Sequence, residues 1–548
     1  MLRRDFLSAS SLLVGMSSAS VAAAAPMIKA KGAGTAKNIL DYNAIPDGKT
    51  LNTKAIQRAI DDAFQAGGGL VYAPPGTFLT GGLELKSRVT LYVDAGCVLL
   101  GSPNIADYAY HPGPPMLGDA QGHHLIFAQN ADDVSVCGPG VIDGQGEAYW
   151  EPNPDRPPAK PEDEWHDVAS GHFQAIHNNS RPSPMVEFAQ CRNLRISDVT
   201  LRNSSGWTLR PVNCESVFID GVRIRNPFWG RNTDGMDITS CRNVFVSNCD
   251  IVGGDDAICL KSENPYGAEV LPTKNITITN CVVSCASNGF KMGTATQGAF
   301  ENIVFSNSVI YSDNGSPMMN RVIGGINVEA VDGGSVDGVV VSNIRMQNVR
   351  APIFVRMGSR TKGENSFLRN VLIEGVDATG SIVTSSITGV PGLRPSDVTI
   401  SNCRLRTVEQ GQADWVHRTI PEDADGYPES WNMGRLPAYG FYVRHADHVR
   451  LRNVECIADK PDARPAIVCD DVEDIVLAGL EFTAPTGAAP LFDLRNTRRA
   501  FLTGMRSPAG NTVFAQISGA ASKGIVLSGN SLEPHQQAAT YIDGATEP

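Results

Sequence analysis

A short pattern returns along this chain: Asn or Asp, then alternating apolar and polar positions, then a second Asn or Gly. It is read at Asn193-Leu-Arg-Ile-Ser-Asp-Val, Asn243-Val-Phe-Val-Ser-Asn-Cys, Asn275-Ile-Thr-Ile-Thr-Asn-Cys, Asn302-Ile-Val-Phe-Ser-Asn-Ser, Asp337-Gly-Val-Val-Val-Ser-Asn-Ile and Asp397-Val-Thr-Ile-Ser-Asn-Cys, with later copies around Val449 and Ile475. Repeats in the twenties and low thirties, each holding short period-two segments, specify a solenoid. The Leu-x-x-Leu-x-Leu spacing of leucine-rich repeats does not recur. The pattern instead predicts an all-β parallel β-helix whose coils stack about 4.8 Å apart, with Val, Ile, Leu and Cys inward and polar residues outward. The recurring Asn then stack at turns as hydrogen-bonded ladders, a structural role.

A solenoid end needs cover, because an open end exposes unpaired strand edges. Ala55, Ile56, Ala59, Ile60, Ala63 and Phe64 fall on one helical stripe that Gly67-Gly68-Gly69 stops, so one capping helix is expected before the coils. Upstream, Arg3-Arg4-Asp5-Phe6-Leu7 precedes a short apolar run and an Ala-rich stretch to Ala25, the layout of a twin-arginine export signal. The expected organisation is a signal over 1–25, a cap and first coils over 37–110, and a catalytic β-helix over 111–535 with insertions at 150–180 and 409–440. A periplasmic or secreted monomer follows. The twelve cysteines include no Cys-x-x-Cys pair and read first as small core residues, with disulfides among some of them as the alternative. A formal charge of −12 argues against nucleic-acid and anionic-membrane partners.

Two segments break the solenoid's polar and apolar bookkeeping: Asn232-Thr233-Asp234-Gly235-Met236-Asp237, and Gly254-Asp255-Asp256-Ala257. The gap is about one coil, so Asp234, Asp255 and Asp256 meet on neighbouring rungs. Crowded carboxylates raise at least one proton affinity, which suits a general acid, while ionised neighbours serve as base. One acid protonates a leaving oxygen and the others deprotonate a water: this is the equipment of glycosidic-bond hydrolysis.

With these two motifs at this separation, from about Asn38 to at least Arg360, the chain resembles the polygalacturonases, glycoside hydrolase family 28. The resemblance implies a right-handed β-helix, no cofactor or metal, and inverting hydrolysis of α-linked galacturonate-type bonds. Asp255 would be the acid, and Asp234 and Asp256 would hold the water. Where the family has Gly-His-Gly, this chain reads Ser287-Asn288-Gly289, followed by Phe290-Lys291; where the family has Arg-Ile-Lys, it reads Gly325-Ile326-Asn327. Those family cations bind the galacturonate carboxylate, so their loss disfavours standard endo-polygalacturonase action. The departure resembles bacterial exo-enzymes acting on pectin side structures or rhamnogalacturonan oligosaccharides, as do Tyr427-Pro428-Glu429 and the stretch from Leu436 to His445.

Asn232, Asn288, Lys291, Asn327, Glu329 and Lys261 are therefore candidate substrate contacts, with Arg321 and Arg356 as further relocated cations. Glu329 and Asp332 add negative charge that suits recognition of sugar hydroxyls. Trp207 and Trp229, one coil apart before the catalytic strands, are candidate sugar platforms. The insertions carry Trp165, His172, His177, Trp415, His417 and Trp431, which wall a pocket or simply pack locally. The expected function is exo-acting hydrolysis of a pectic polysaccharide or oligosaccharide. The alternatives are a rhamnogalacturonan-directed hydrolase, a calcium-dependent lyase and a non-catalytic carbohydrate-binding β-helix.

Overall fold

The computed structural model describes residues 36–547 apart from 112–120, 177–179, 268, 362 and 364–365. The export segment and His177 therefore lie outside the described residues. The chain winds into a right-handed parallel β-helix, the hand that parallel crossovers take. Among the described residues, the ladders between named strands run parallel apart from one two-stranded antiparallel pair, Trp150–Pro152 with Phe173–Ala175. Among the described residues no helix is long and apolar enough to cross a membrane.

The repeat sets the register. Leu194, Val217, Val244, Ile276, Ile303, Val339, Val371 and Val398 pair in succession, one per coil, and each is at most 1% exposed. Each such side chain contributes about 1.5–3 kcal/mol by leaving water. The Asn that opens each copy is there because the backbone turns through the left-handed region: φ is 57° at Asn243, 57° at Asn275 and 56° at Asn302. Asn tolerates that conformation better than other side chains with a Cβ. The amides then stack, Asn302 donating to Asn275 at 3.1 Å and Asn275 to Asn243 at 3.0 Å.

All twelve cysteines are free thiols, and all but Cys137 are buried. Cys191, Cys214 and Cys241 stack at one corner, where the Cys191 and Cys214 amides donate to the next thiol at 3.4 and 3.3 Å. The helix Thr53–Gln65 packs on the first strands with Ala55, Ile56, Ala59, Ile60 and Ala63 buried. Phe64, assigned to that stripe from its spacing, is instead 40% exposed, because the cap is narrower than the stripe.

Candidate active site

Met236 pairs with Ile258 and Ile258 with Phe290, so two residues upstream Asp234, Asp256 and Asn288 form one column on three successive rungs. Backbone bonds hold that alignment: Gly235 donates to the Asp256 carbonyl, and Ala257 to the Asn288 carbonyl, both at 2.8 Å. The turn before Asp255 is fixed by Thr233, whose hydroxyl donates to the Gly230 carbonyl at 2.7 Å and accepts from the Gly254 amide at 3.1 Å. A Cβ on Gly254 would lie 2.2 Å from the Gly230 oxygen, so only glycine fits there. Oxygens of Asp234, Asp255 and Asp256 consequently lie within 4.8 Å of one another.

The three acids have different surroundings. Asp256 Oδ1 accepts from the Ser287 hydroxyl at 2.8 Å and from the Asn288 amide and side chain at 3.1 and 2.8 Å, while Oδ2 lies 3.4 Å from Lys291 Nζ. Burial alone would raise its proton affinity. Lys291, Lys261 and these hydrogen bonds outweigh burial and hold the carboxyl below the ordinary aspartate value. Asp255, the most accessible of the three, is pushed up to about 7 by burial and then by the Asp256 charge. Asp234 is raised well above the ordinary value by burial, then by Asp237, Asp255 and Asp256, and its Oδ1 has no partner. Two of the three acids thus have raised proton affinities. Asp234, expected from the sequence to stay ionised, differs because burial and then its three neighbouring carboxylates oppose its charge.

Two ammonium groups act on the cluster. Lys291 is fully buried, 3.2 Å from Glu429 Oε1 and 3.3 Å from the Tyr427 hydroxyl. Burial lowers its proton affinity, but the charges of Asp256 and Glu429 prevail and keep it charged. Lys261 lies 3.4 Å from Asp237 and 5.1 Å over the Trp207 ring. The Asn288 side chain also donates to Glu429 at 3.2 Å, and its Oδ1 accepts from the Asn327 side-chain amide at 3.0 Å. Asn327 donates onward to Glu329 at 3.4 Å, and burial pushes the Glu329 carboxyl up to about 8.

Asn288, Lys291, Asn327, Glu329 and Lys261 are therefore gathered around the acids. Asn232 sits at a left-handed turn with φ of 53°. Trp207 is no sugar platform: it is 3% exposed, with Arg210 5.0 Å over its ring besides Lys261, and a covered indole offers no face to a ligand. Trp229 stacks on Phe173 of the first insertion, centroids 4.7 Å apart. Arg356 is committed to the carbonyls of Glu422 and Asp423 at 2.6 and 2.9 Å, and Arg321 Nε donates to the Ser316 carbonyl.

The insertion aromatics pack against cations. Arg435 lies 4.1 Å over Trp165 and 5.2 Å over Trp415, and Arg350 lies 5.0 Å over Trp431. His172 bonds Asp167 and the Arg156 carbonyl, whereas His417 is exposed. Sequence reasoning missed Tyr427 and Glu429 as site residues. They stand more than 130 residues from Lys291, in an insertion outside the repeat, and no periodicity places them.

A family model described as glycosyl hydrolases family 28 matches residues 117–418, and one described as rhamnogalacturonase A/epimerase, pectate lyase-like, matches 36–133. Similar curated proteins include a probable polygalacturonase of Vitis vinifera, 28% identical over 67% of this chain and 74% of its own length. An exo-poly-alpha-D-galacturonosidase of Dickeya chrysanthemi is 28% identical over 70% of this chain and 73% of its own. Among solved structures, a hyperthermoactive exopolygalacturonase from Thermotoga maritima aligns with a TM-score of 0.55 at 25% identity, over 68% of this chain and 86% of that one.

Proposed function

The chain belongs to glycosyl hydrolase family 28, and from that premise we propose that it cleaves glycosidic bonds of pectic polysaccharides or oligosaccharides from a chain end. The observation that carries the mechanism is the split of proton affinities within one cluster: Asp255 raised to about 7, Asp256 held below the ordinary value. Asp255 is the proton donor to the leaving oxygen. Asp256 takes the proton of the attacking water, which Asp234 helps to hold.

Chain-end action is supported by the second insertion. Glu429 and Tyr427 reach Asn288 and Lys291, and Arg435 joins this insertion to Trp165 of the first, so inserted segments border the acids. The names of the Dickeya and Thermotoga relatives point the same way. Incubation with homogalacturonan and rhamnogalacturonan oligosaccharides, read by chromatography, tests the proposal. Single-unit release by the wild type, lost in Asp255→Ala, supports it; products of many lengths from the first time point refute chain-end action.

Inversion is the stereochemistry that the family resemblance implies. One observation favours a second reading: oxygens within 4.8 Å are closer than the roughly 6.5–9.5 Å usual for an inverting pair, a spacing that suits direct attack by a carboxylate and retention. Proton NMR of the anomer first released decides between them.

A further inference from the structure

The donors beside the triad are already occupied by one of the protein's own carboxylates. Lys291 has three N–H donors. Three acceptors surround it: Asp256 Oδ2 at 3.4 Å, Glu429 Oε1 at 3.2 Å and the Tyr427 hydroxyl at 3.3 Å. Asn288 spends its side-chain amide on Asp256 and the same Glu429 oxygen. A uronate carboxylate approaching Lys291 and Asn288 would have to take the place of Glu429.

The oxygens left over are acceptors. Asn327 Oδ1, Glu329 Oε2 and Asp234 Oδ1 are buried with no hydrogen-bond partner among the described residues. Buried acceptors of this kind cost stability until a donor reaches them. Around them stand six carboxyl groups, of Asp234, Asp237, Asp255, Asp256, Glu329 and Glu429, against the two ammonium groups of Lys261 and Lys291. A seventh carboxyl group would compete with these six for two ammonium groups, whereas a sugar hydroxyl brings a donor to the unbonded Asn327 oxygen.

We propose that the sugar unit bound over Asn288, Lys291 and Asn327 is a neutral sugar recognised through its hydroxyls, and that Glu429 sets this preference by occupying the Lys291 cradle. The proposal rests on the hydrolase reading above and narrows its substrate class. It makes Glu429 a specificity residue, outside the group of acids that move protons.

The test compares three substrate series: oligogalacturonides, the same chains with carboxyls reduced to primary alcohols, and alternating galacturonate–rhamnose oligosaccharides. The wild type is expected to show kcat/KM about tenfold or more higher on the reduced or alternating series than on oligogalacturonides. Glu429→Ala frees Lys291 and is expected to narrow or reverse that ratio. Glu429→Gln, of equal volume, reads the same ratio if the alanine variant does not fold. A wild-type preference for oligogalacturonides overturns the proposal while leaving the hydrolase reading intact, as does an equal loss on all series in both variants. Failure to cleave any series defeats the hydrolase reading, and this proposal with it.

Discussion

At the scale of single residues, chemistry follows from unequal solvation of like groups. Asp256 collects three hydrogen bonds and a buried ammonium, while Asp255 is buried beside its charge and shares none of them except through the Asp256 amide, which donates to Asp255 Oδ1 at 2.9 Å. A donor that must be protonated and a base that must be ionised give a bell in kcat/KM against pH. Its alkaline limb is expected near 7, where Asp255 loses its proton, and its acid limb below the ordinary aspartate value of about 3.9, where Asp256 gains one. Because the acids interact, the limbs belong to the cluster. Asp255→Asn is expected to lower kcat by about 10²–10⁴ with little change in KM, and to abolish the alkaline limb. The raised affinity of Asp255 has the opposite sense for stability. Its contribution is most favourable below the unfolded value and declines as pH rises towards 7, which chemical denaturation at pH 4 and 7 checks for the wild type against Asp255→Asn.

At the scale of elements, the repeat aligns the acids and the insertions finish the site. The acid motifs were legible in the sequence because one coil of separation fixes their rung, and the register Met236 to Ile258 delivers that alignment. The place of Glu429 and Tyr427 beside the acids was not, although their motif carries a family resemblance, because an inserted segment returns to the sheet by tertiary contacts that carry no period. The assignment of Trp207 failed for a related reason: its place one coil from Trp229 puts it near the catalytic strands but does not say what covers it, and Lys261 and Arg210 pack over the ring. The second insertion is anchored by Arg464, 1% exposed, which bonds Glu409 and Asp462 at 2.9 and 2.8 Å and the Leu436 carbonyl at 3.1 Å. Arg464→Ala takes the paired cation from the buried Asp462 carboxylate, while Glu409 keeps Arg435, and is expected to cost about 3–5 kcal/mol. Proteolysis should then nick residues 409–440 first, before the coils open, and specific activity should fall as Glu429 loses its seat.

At the scale of the molecule, a stack of coils is close to one-dimensional: each rung touches only the rungs before and after it. The fold class was readable for that reason, since one repeated local pattern dictates every pairing, from Leu194 through Val398. What the pattern does not encode is where function sits along the stack, and stability and activity can be separated by position. Ile276 is fully buried between Val244 and Ile303, in the coil that continues from Asp255 and Asp256. Leu502 is equally buried between Leu477 and Leu527, many coils away. Truncating either to alanine removes similar packing and is expected to cost about 2–5 kcal/mol. A cavity at Ile276 loosens the rung that holds the acids, and displacements near 1 Å at reacting groups cost about 10²-fold in rate. A cavity at Leu502 reaches only its own neighbours. Ile276→Ala is therefore expected to lose kcat under conditions where it is still fully folded, while Leu502→Ala retains wild-type kcat up to its lowered unfolding midpoint; an equal loss of kcat in both folded variants would show that strain travels along the whole stack, and wild-type kcat in both that it does not reach the acids.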